Sequence, residues 1–152
     1  MTVRIQTEDF DVAAELAALK PSKADVGAIV TFIGMVRDLN DGDIIKTLTL
    51  EHYPGMTEKS LSAIEQEAKS RWDINQSLII HRFGTLKPSD QIVLVAVTSP
   101  HRAEAFAACE FIMDYLKTKA PFWKKETTSQ GERWVEAKSI DDEAQARWKQ
   151  SD

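Results

Sequence analysis

The sequence predicts an α+β fold, because strand-like and helix-like segments interleave along it without a regular strand-helix-strand repeat. Apolar, β-branched runs such as Val26 to Val36 (VGAIVTFIGMV) read as strands, and stripes at three- and four-residue spacing, such as Phe106 to Leu116, read as helices. Glycine- and proline-bearing breaks separate them. The 152 residues, 43% of them hydrophobic, suit one domain spanning 1–152 around one core. No linker rich in Pro, Gly or Ser and no internal repeat divides the chain.

Val3 to Gln6 alternates like a short strand, and Val12, Leu16 and Leu19 then recur at helical spacing before Pro21. The apolar run Val26 to Val36 predicts a strand covered on both faces at the centre of the sheet, since Gly27 and Gly34 disfavour a helix. Ile45 to Tyr53 alternates after the polar loop Asp38 to Asp43, so these two strands are expected to pair across that loop. Thr57 is the expected N-cap of a helix running to about Trp72 on the stripe Leu61, Ile64 and Ala68. Leu78 to Phe83 and Ile92 to Thr98 extend the sheet around the turn residues of Gly84 to Asp90. Ser99-Pro100 looks like an N-cap and first helical position, opening the longest helix with Phe106, Cys109, Ile112, Met113 and Leu116 on its core face. Phe122 to Thr128 and Arg133 to Lys138 read as strands around Ser129 to Glu132, followed by a polar terminal helix containing Trp148.

Composition excludes several functions. Nineteen Lys plus Arg against 24 Asp plus Glu leave a net charge of -5, which removes the bulk attraction that non-specific nucleic-acid binding needs. Any anion site is therefore local. The single cysteine, Cys109, forms no internal disulfide, and no CxxC or Cys/His cluster has metal-ligand spacing, so no metal is expected. No apolar stretch has signal-peptide or membrane-spanning length, and the expected location is the cytoplasm. GxGxxG, GxxxxGK[ST] and GxSxG are all absent.

Three features stand out as chemistry. His101 and Arg102 open the long helix, although cations there oppose the helix dipole; a bound anion would reverse that sign, while the alternative sends both side chains into solvent beside Glu104. Lys117, Lys119, Lys124 and Lys125 place four cations within nine residues of an acidic chain, which fits either an anionic ligand or an ordinary solvated face. Arg37 leaves the apolar strand at the loop, as a ligand or as a solvated boundary. His52 and His81 lie inside strand patterns and are expected to be satisfied structural histidines. Cys109 lies on the buried stripe and is expected to be inert.

The stretches VTFIGMVRD (30–38), LTLEHYPGMTEKSL (48–61), IIHRFGTLKPSD (79–90), VTSPHRAEAF (97–106) and FIMDYLKTKAPFWKKE (111–126) resemble the catalytic, larger subunit of molybdopterin synthase. The resemblance covers residues 25 to 138 almost continuously. It implies an α/β hammerhead-type fold with a mixed or antiparallel sheet and flanking helices, no cofactor, and a homodimer flanked by two small ubiquitin-like subunits as a heterotetramer. It also implies a reaction: two sulfur transfers from that partner's C-terminal Gly-Gly thiocarboxylate, converting cyclic pyranopterin monophosphate to molybdopterin. The family's substrate-contacting residues fall here on Met35, Val36 and Arg37, on His101 and Arg102, on Lys117, and on Lys124, Lys125 and Glu126.

By that resemblance Arg37, His101 and Arg102 hold the phosphate and pterin. Lys117 lies beside the thiocarboxylate tail and stabilises an oxyanion, Lys124 contacts the pterin and assists proton transfer, and the two roles are open to exchange. Lys119 and Lys125 retain the reading of solvated side chains, and Lys138 stands where the family has a basic residue contributed across the dimer. Both reactants are anionic, and a unit charge pair at 4 Å is worth roughly 4 kcal/mol at an effective dielectric of 20, so a few positioned cations suffice to bring them together. The competing reading is a non-catalytic module that docks a ubiquitin-like partner.

Overall fold

The computed structural model describes residues 2–19, 24–40, 42–135 and 139–149. Their order is β1 (Thr2–Gln6), α1 (Val12–Ala18), β2 (Ala28–Met35), β3 (Leu39–Asn40), β4 (Asp43–His52), α2 (Met56–Arg71), β5 (Gln76–Arg82), β6 (Gly84–Leu86), β7 (Gln91–Ser99), α3 (Arg102–Lys119), β8 (Phe122–Thr128), β9 (Gly131–Val135) and α4 (Ser139–Ala146). The expected α+β class with a mixed sheet and flanking helices is what forms. Four strands make one sheet in the order β1-β5-β7-β2, with β1 parallel to β5 and the other pairs antiparallel. The second sheet runs β3-β4-β8-β9, with β6 also paired to β4, and is antiparallel throughout.

Strand alternation divides the core in two. Ile79, Val93, Val95 and Val97 face α2 and α3, and this larger core continues into Leu48, Leu50 and Leu86 of the second sheet. Leu78, Ile80, Leu94 and Ala96 point the other way and are covered by Phe10 and α1. Helix α3 buries Ala105, Ala108, Cys109, Ile112 and Leu116 on one stripe, with Phe111 and Met113 beside it. Full burial of a side chain such as Phe111 contributes about 1.5–3 kcal/mol.

Several expectations are corrected. The run Val26 to Val36 does not occupy the sheet centre: β2 is an edge strand, with Ile29, Phe32, Ile33 and Met35 exposed. Nor does it pair with β4; its partner is β7, while β4 takes β8, β3 and β6. Hydrophobicity alone does not distinguish a strand buried on both faces from an edge strand left bare within one chain. The N-cap of α2 is Gly55, at φ 84°, whose N–H donates to the Glu58 carboxylate at 2.6 Å, while Thr57 lies inside the helix and donates its hydroxyl to the Tyr53 carbonyl. Helix α3 begins two residues later than expected, with His101 as N-cap and the Ser99 hydroxyl accepting from the His101 N–H. Phe106 falls off its buried stripe and is 61% exposed. Trp148 follows α4 and packs edge-on against Trp72 and Phe111.

Candidate active site

Where the two sheets meet, at the C-terminal end of α3, a cavity of about 350 Å³ opens. Met35, Val36 and Arg37 reach it from the end of β2, Lys117 from the last turn of α3, Phe122, Lys124 and Glu126 from β8, and Asp141 from α4. Each placement has a local cause. Lys117 sits where the helix dipole favours a cation. On β8 successive side chains alternate faces, so Phe122, Lys124 and Glu126 enter the cavity. Lys125 between them points to the outer face, paired with Glu132 at 3.6 Å and lying over the Trp134 ring.

Glu126 is almost wholly buried, and its carboxylate is fully engaged. Oε1 accepts from Asn40 Nδ2 at 2.5 Å and Oε2 from Arg133 Nε at 3.0 Å. The rest of the Arg133 fork donates to Asp43 Oδ2 at 2.5 Å and to the Asn40 carbonyl at 2.8 Å, and these two carboxylates raise the Arg133 pKa above its ordinary value. Arg37 Nη2 reaches Asn40 Oδ1 at 3.4 Å.

His81 lies beneath the lysines, stacked on Phe122 at 3.7 Å, with Nδ1 2.8 Å from the Arg82 carbonyl. Burial pushes its pKa down to about 3, and the nearby charges of Lys124 and Lys117 push the same way, so the imidazole is neutral at any physiological pH. It is a structural histidine, as expected. His52 only partly conforms: its ring packs 4.5 Å from Phe83, but its buried Nδ1 meets no hydrogen-bonding partner among the described residues. Cys109 is buried and its thiol is pushed up to about 12, first by burial and then by the Glu110 charge, consistent with an inert side chain.

The cavity thus gathers Met35, Val36, Arg37, Lys117, Lys124 and Glu126 of the residues singled out in the sequence. It does not gather the others within one chain. His101 and Arg102 are exposed at the opposite end of α3, about 24 Å from Lys117 at 1.5 Å per helical residue. Lys125 is turned away, Lys119 is exposed on the same last turn as Lys117, and Lys138 lies outside the described residues. Asn40, Arg133 and Asp141 are the site residues that the sequence reading passed over. A signal existed for the first: Asp41-Gly42 is a hairpin-turn dipeptide, which pairs Asn40 with Asp43.

Comparison with known proteins identifies the family. The MoaE protein family model matches residues 5–119. A relative from Ralstonia nicotianae, "Molybdopterin synthase catalytic subunit", is 60% identical over 97% of this chain and 84% of its own. The solved MoaE protein of Burkholderia ambifaria, described as a molybdopterin biosynthesis protein, superposes with a TM-score of 0.82 at 58% identity, covering 97% of each chain. A solved complex of subunits 1 and 2 of molybdopterin-converting factor from Helicobacter pylori shares the fold, with a TM-score of 0.72 at 19% identity over 88% of this chain and 90% of that one. The chain belongs to the MoaE protein family, that of the molybdopterin synthase catalytic subunits.

Proposed function

We propose that this chain catalyses two sulfur transfers to cyclic pyranopterin monophosphate, forming molybdopterin, with the C-terminal Gly-Gly thiocarboxylate of a small ubiquitin-like subunit as donor. The observation that carries this is the convergence of Arg37, Lys117 and Lys124, from three separate elements, on one cavity of a protein whose net charge is -5. Two anionic reactants meet there against the overall field of the molecule. Arg37 holds the phosphate, with a planar fork that matches its oxygens. The thiocarboxylate sulfur bonds to a carbon of the pterin side chain as a carbon-oxygen bond there breaks, the oxygen leaving on the phosphate or, with a proton, as water. Water then adds to the acyl carbon, the bond from that carbon to sulfur breaks with the sulfur staying on the pterin, and a carboxylate remains on the partner. Lys117 stabilises the oxyanion of that addition, and Lys124 contacts the pterin and moves a proton. Met35, Val36 and Phe122 form the apolar wall, and Glu126 holds the floor together.

The assembly is a homodimer within a heterotetramer, working in the cytoplasm as one domain over 1–152. Support comes from β2, whose outer edge is unpaired among the described residues and whose side chains Ile29, Ile33 and Met35 are exposed. The N-terminal end of this strand adjoins Ser99 and hence His101, while its C-terminal end opens on the cavity. Eight residues at about 3.3 Å span about 23 Å, close to the separation of His101 from Lys117. Antiparallel pairing of β2 with its own copy therefore carries His101 and Arg102 of one protomer to the cavity of the other. They complete the phosphate site in trans, with Lys138 as a further cation from across the dimer.

The test uses thiocarboxylated small subunit and cyclic pyranopterin monophosphate, with product read by fluorescence after oxidation. Lys117→Ala should lose about 10²–10³-fold in kcat while still binding the partner, as expected for a lost oxyanion contact. Turnover at the wild-type rate would remove Lys117 from the mechanism, and absence of product from the unsubstituted chain would favour a non-catalytic docking module. Arg102→Ala should raise KM. Mixing Lys117→Ala and Arg102→Ala protomers at low substrate should restore roughly a quarter of wild-type activity, since each mixed dimer keeps one intact cavity. No restoration would remove His101 and Arg102 from the partner's site.

A further inference from the structure

We propose that Asn40 is a positioning residue that orients Arg37 toward the substrate anion without neutralising it. The inference rests on the reading of Arg37 as the phosphate ligand. Asn40 is 8% exposed and ends β3, facing Asp43 across a turn through Gly42, whose φ of 83° suits glycine. Arg133 grips this turn at both ends, donating to the Asn40 carbonyl and to Asp43, and its third contact is the Glu126 carboxylate. The turn is thereby fixed to the cavity floor.

The asymmetry of the carboxamide then decides which way Asn40 faces. An ionised carboxylate only accepts, so the Asn40 amide must present its NH₂ to Glu126 Oε1, at 2.5 Å. Its Oδ1 is left facing outward, where Arg37 Nη2 lies at 3.4 Å. Among the described residues no carboxylate oxygen lies within 4 Å of the Arg37 guanidinium, so a neutral oxygen, not an anion, steadies it. The negative charge of Glu126 is matched by Arg133 instead. Orientation reaches Arg37 through the amide, while the compensating charge stays below it. An aspartate at position 40 would hold Arg37 equally well by geometry, but would cancel the charge that an incoming phosphate needs and would oppose Glu126.

The test measures kcat and KM for cyclic pyranopterin monophosphate, together with thermal stability, in Arg37→Ala, Asn40→Ala, their double variant, and the exchange Asn40→Asp with Glu126→Gln. The exchange keeps the bond between positions 40 and 126 with its polarity reversed, and sets a carboxylate against Arg37. Asn40→Ala should raise KM about tenfold with kcat within about twofold, and the double variant should match Arg37→Ala alone. The exchange variant should fold and also raise KM, but not when Arg37→Ala is already present. An unchanged KM in Asn40→Ala, or an effect that multiplies with that of Arg37→Ala, overturns the positioning role. An unchanged KM in Arg37→Ala overturns the underlying reading of the cavity, a separate result.

Discussion

Glu65 offers a measurable consequence of burying an acid that the proposed reaction does not use. It lies on the inner face of α2, 2% exposed, and the Ser77 hydroxyl of β5 donates to its carboxylate. Burial raises its pKa from 4.5 to about 7, against the opposing pull of the Ser77 hydrogen bond. Between those two values the folded state binds a proton that the unfolded state has released, so stability is full below about pH 4.5 and is lost as pH rises through 7. At about 1.36 kcal/mol per pH unit over that interval the loss is roughly 2–3 kcal/mol, the lower figure allowing for solvent screening. Glu65→Gln replaces the protonated acid by a neutral isostere that still bonds Ser77. Urea denaturation of both proteins at pH 5 and pH 8.5 should show wild type losing this amount on going alkaline, with the glutamine variant nearly flat. In thermal terms the two should diverge by about 4–12 °C at the higher pH, given roughly 2–4 °C per kcal/mol for a chain of this size. Parallel pH profiles would refute the argument, since the titrating group would then lie elsewhere.

Gly27 precedes β2, and a Cβ placed there would stand 2.1 Å from the Pro100 carbonyl oxygen. Gly27→Ala should therefore cost about 1–3 kcal/mol, seen as a lowered denaturation midpoint with unchanged slope, and an undisturbed midpoint would show that the two segments yield freely. The Cys109 thiol, pushed up to about 12 within the α3 stripe, should resist iodoacetamide at pH 8 in the native protein and react only on unfolding. Rapid native labelling would contradict its burial.

Most elements were legible because their periods are plain. The α3 stripe apart from Phe106, the alternation of β4 and the turn-bounded β5 and β7 each read correctly from local pattern. The errors share one cause, which is that the deciding contact lies far along the chain or outside it. Val26 to Val36 looks doubly buried, but its partner on one side is β7, sixty residues on, and its other edge is open within the chain. Phe106 misled because the helix offers two adjacent stripes, and the core selects the one through Ala105, Ala108 and Ile112. At the site, cation clustering marked Lys117 and Lys124, yet could not say that strand parity turns Lys125 outward. Arg133 carries no such mark in sequence, and the Asp41-Gly42 dipeptide marks only the turn beside Asn40; the role of both exists only once β3 meets β8 and β9.

The alternation along β8 also limits how this enzyme can vary. Between Pro121 and Glu126 the chain has no slack: one inserted residue would exchange the inward set Phe122, Lys124 and Glu126 for Trp123, Lys125 and Thr127, replacing the Lys124 and Glu126 pair by a single misplaced lysine. The hairpin tip at Ser129 to Gly131, beyond the last inward residue, tolerates length changes that the root does not. Descendants of this sequence are thus free to retune the cavity by replacement at even-numbered sites of the strand, but not by lengthening its approach.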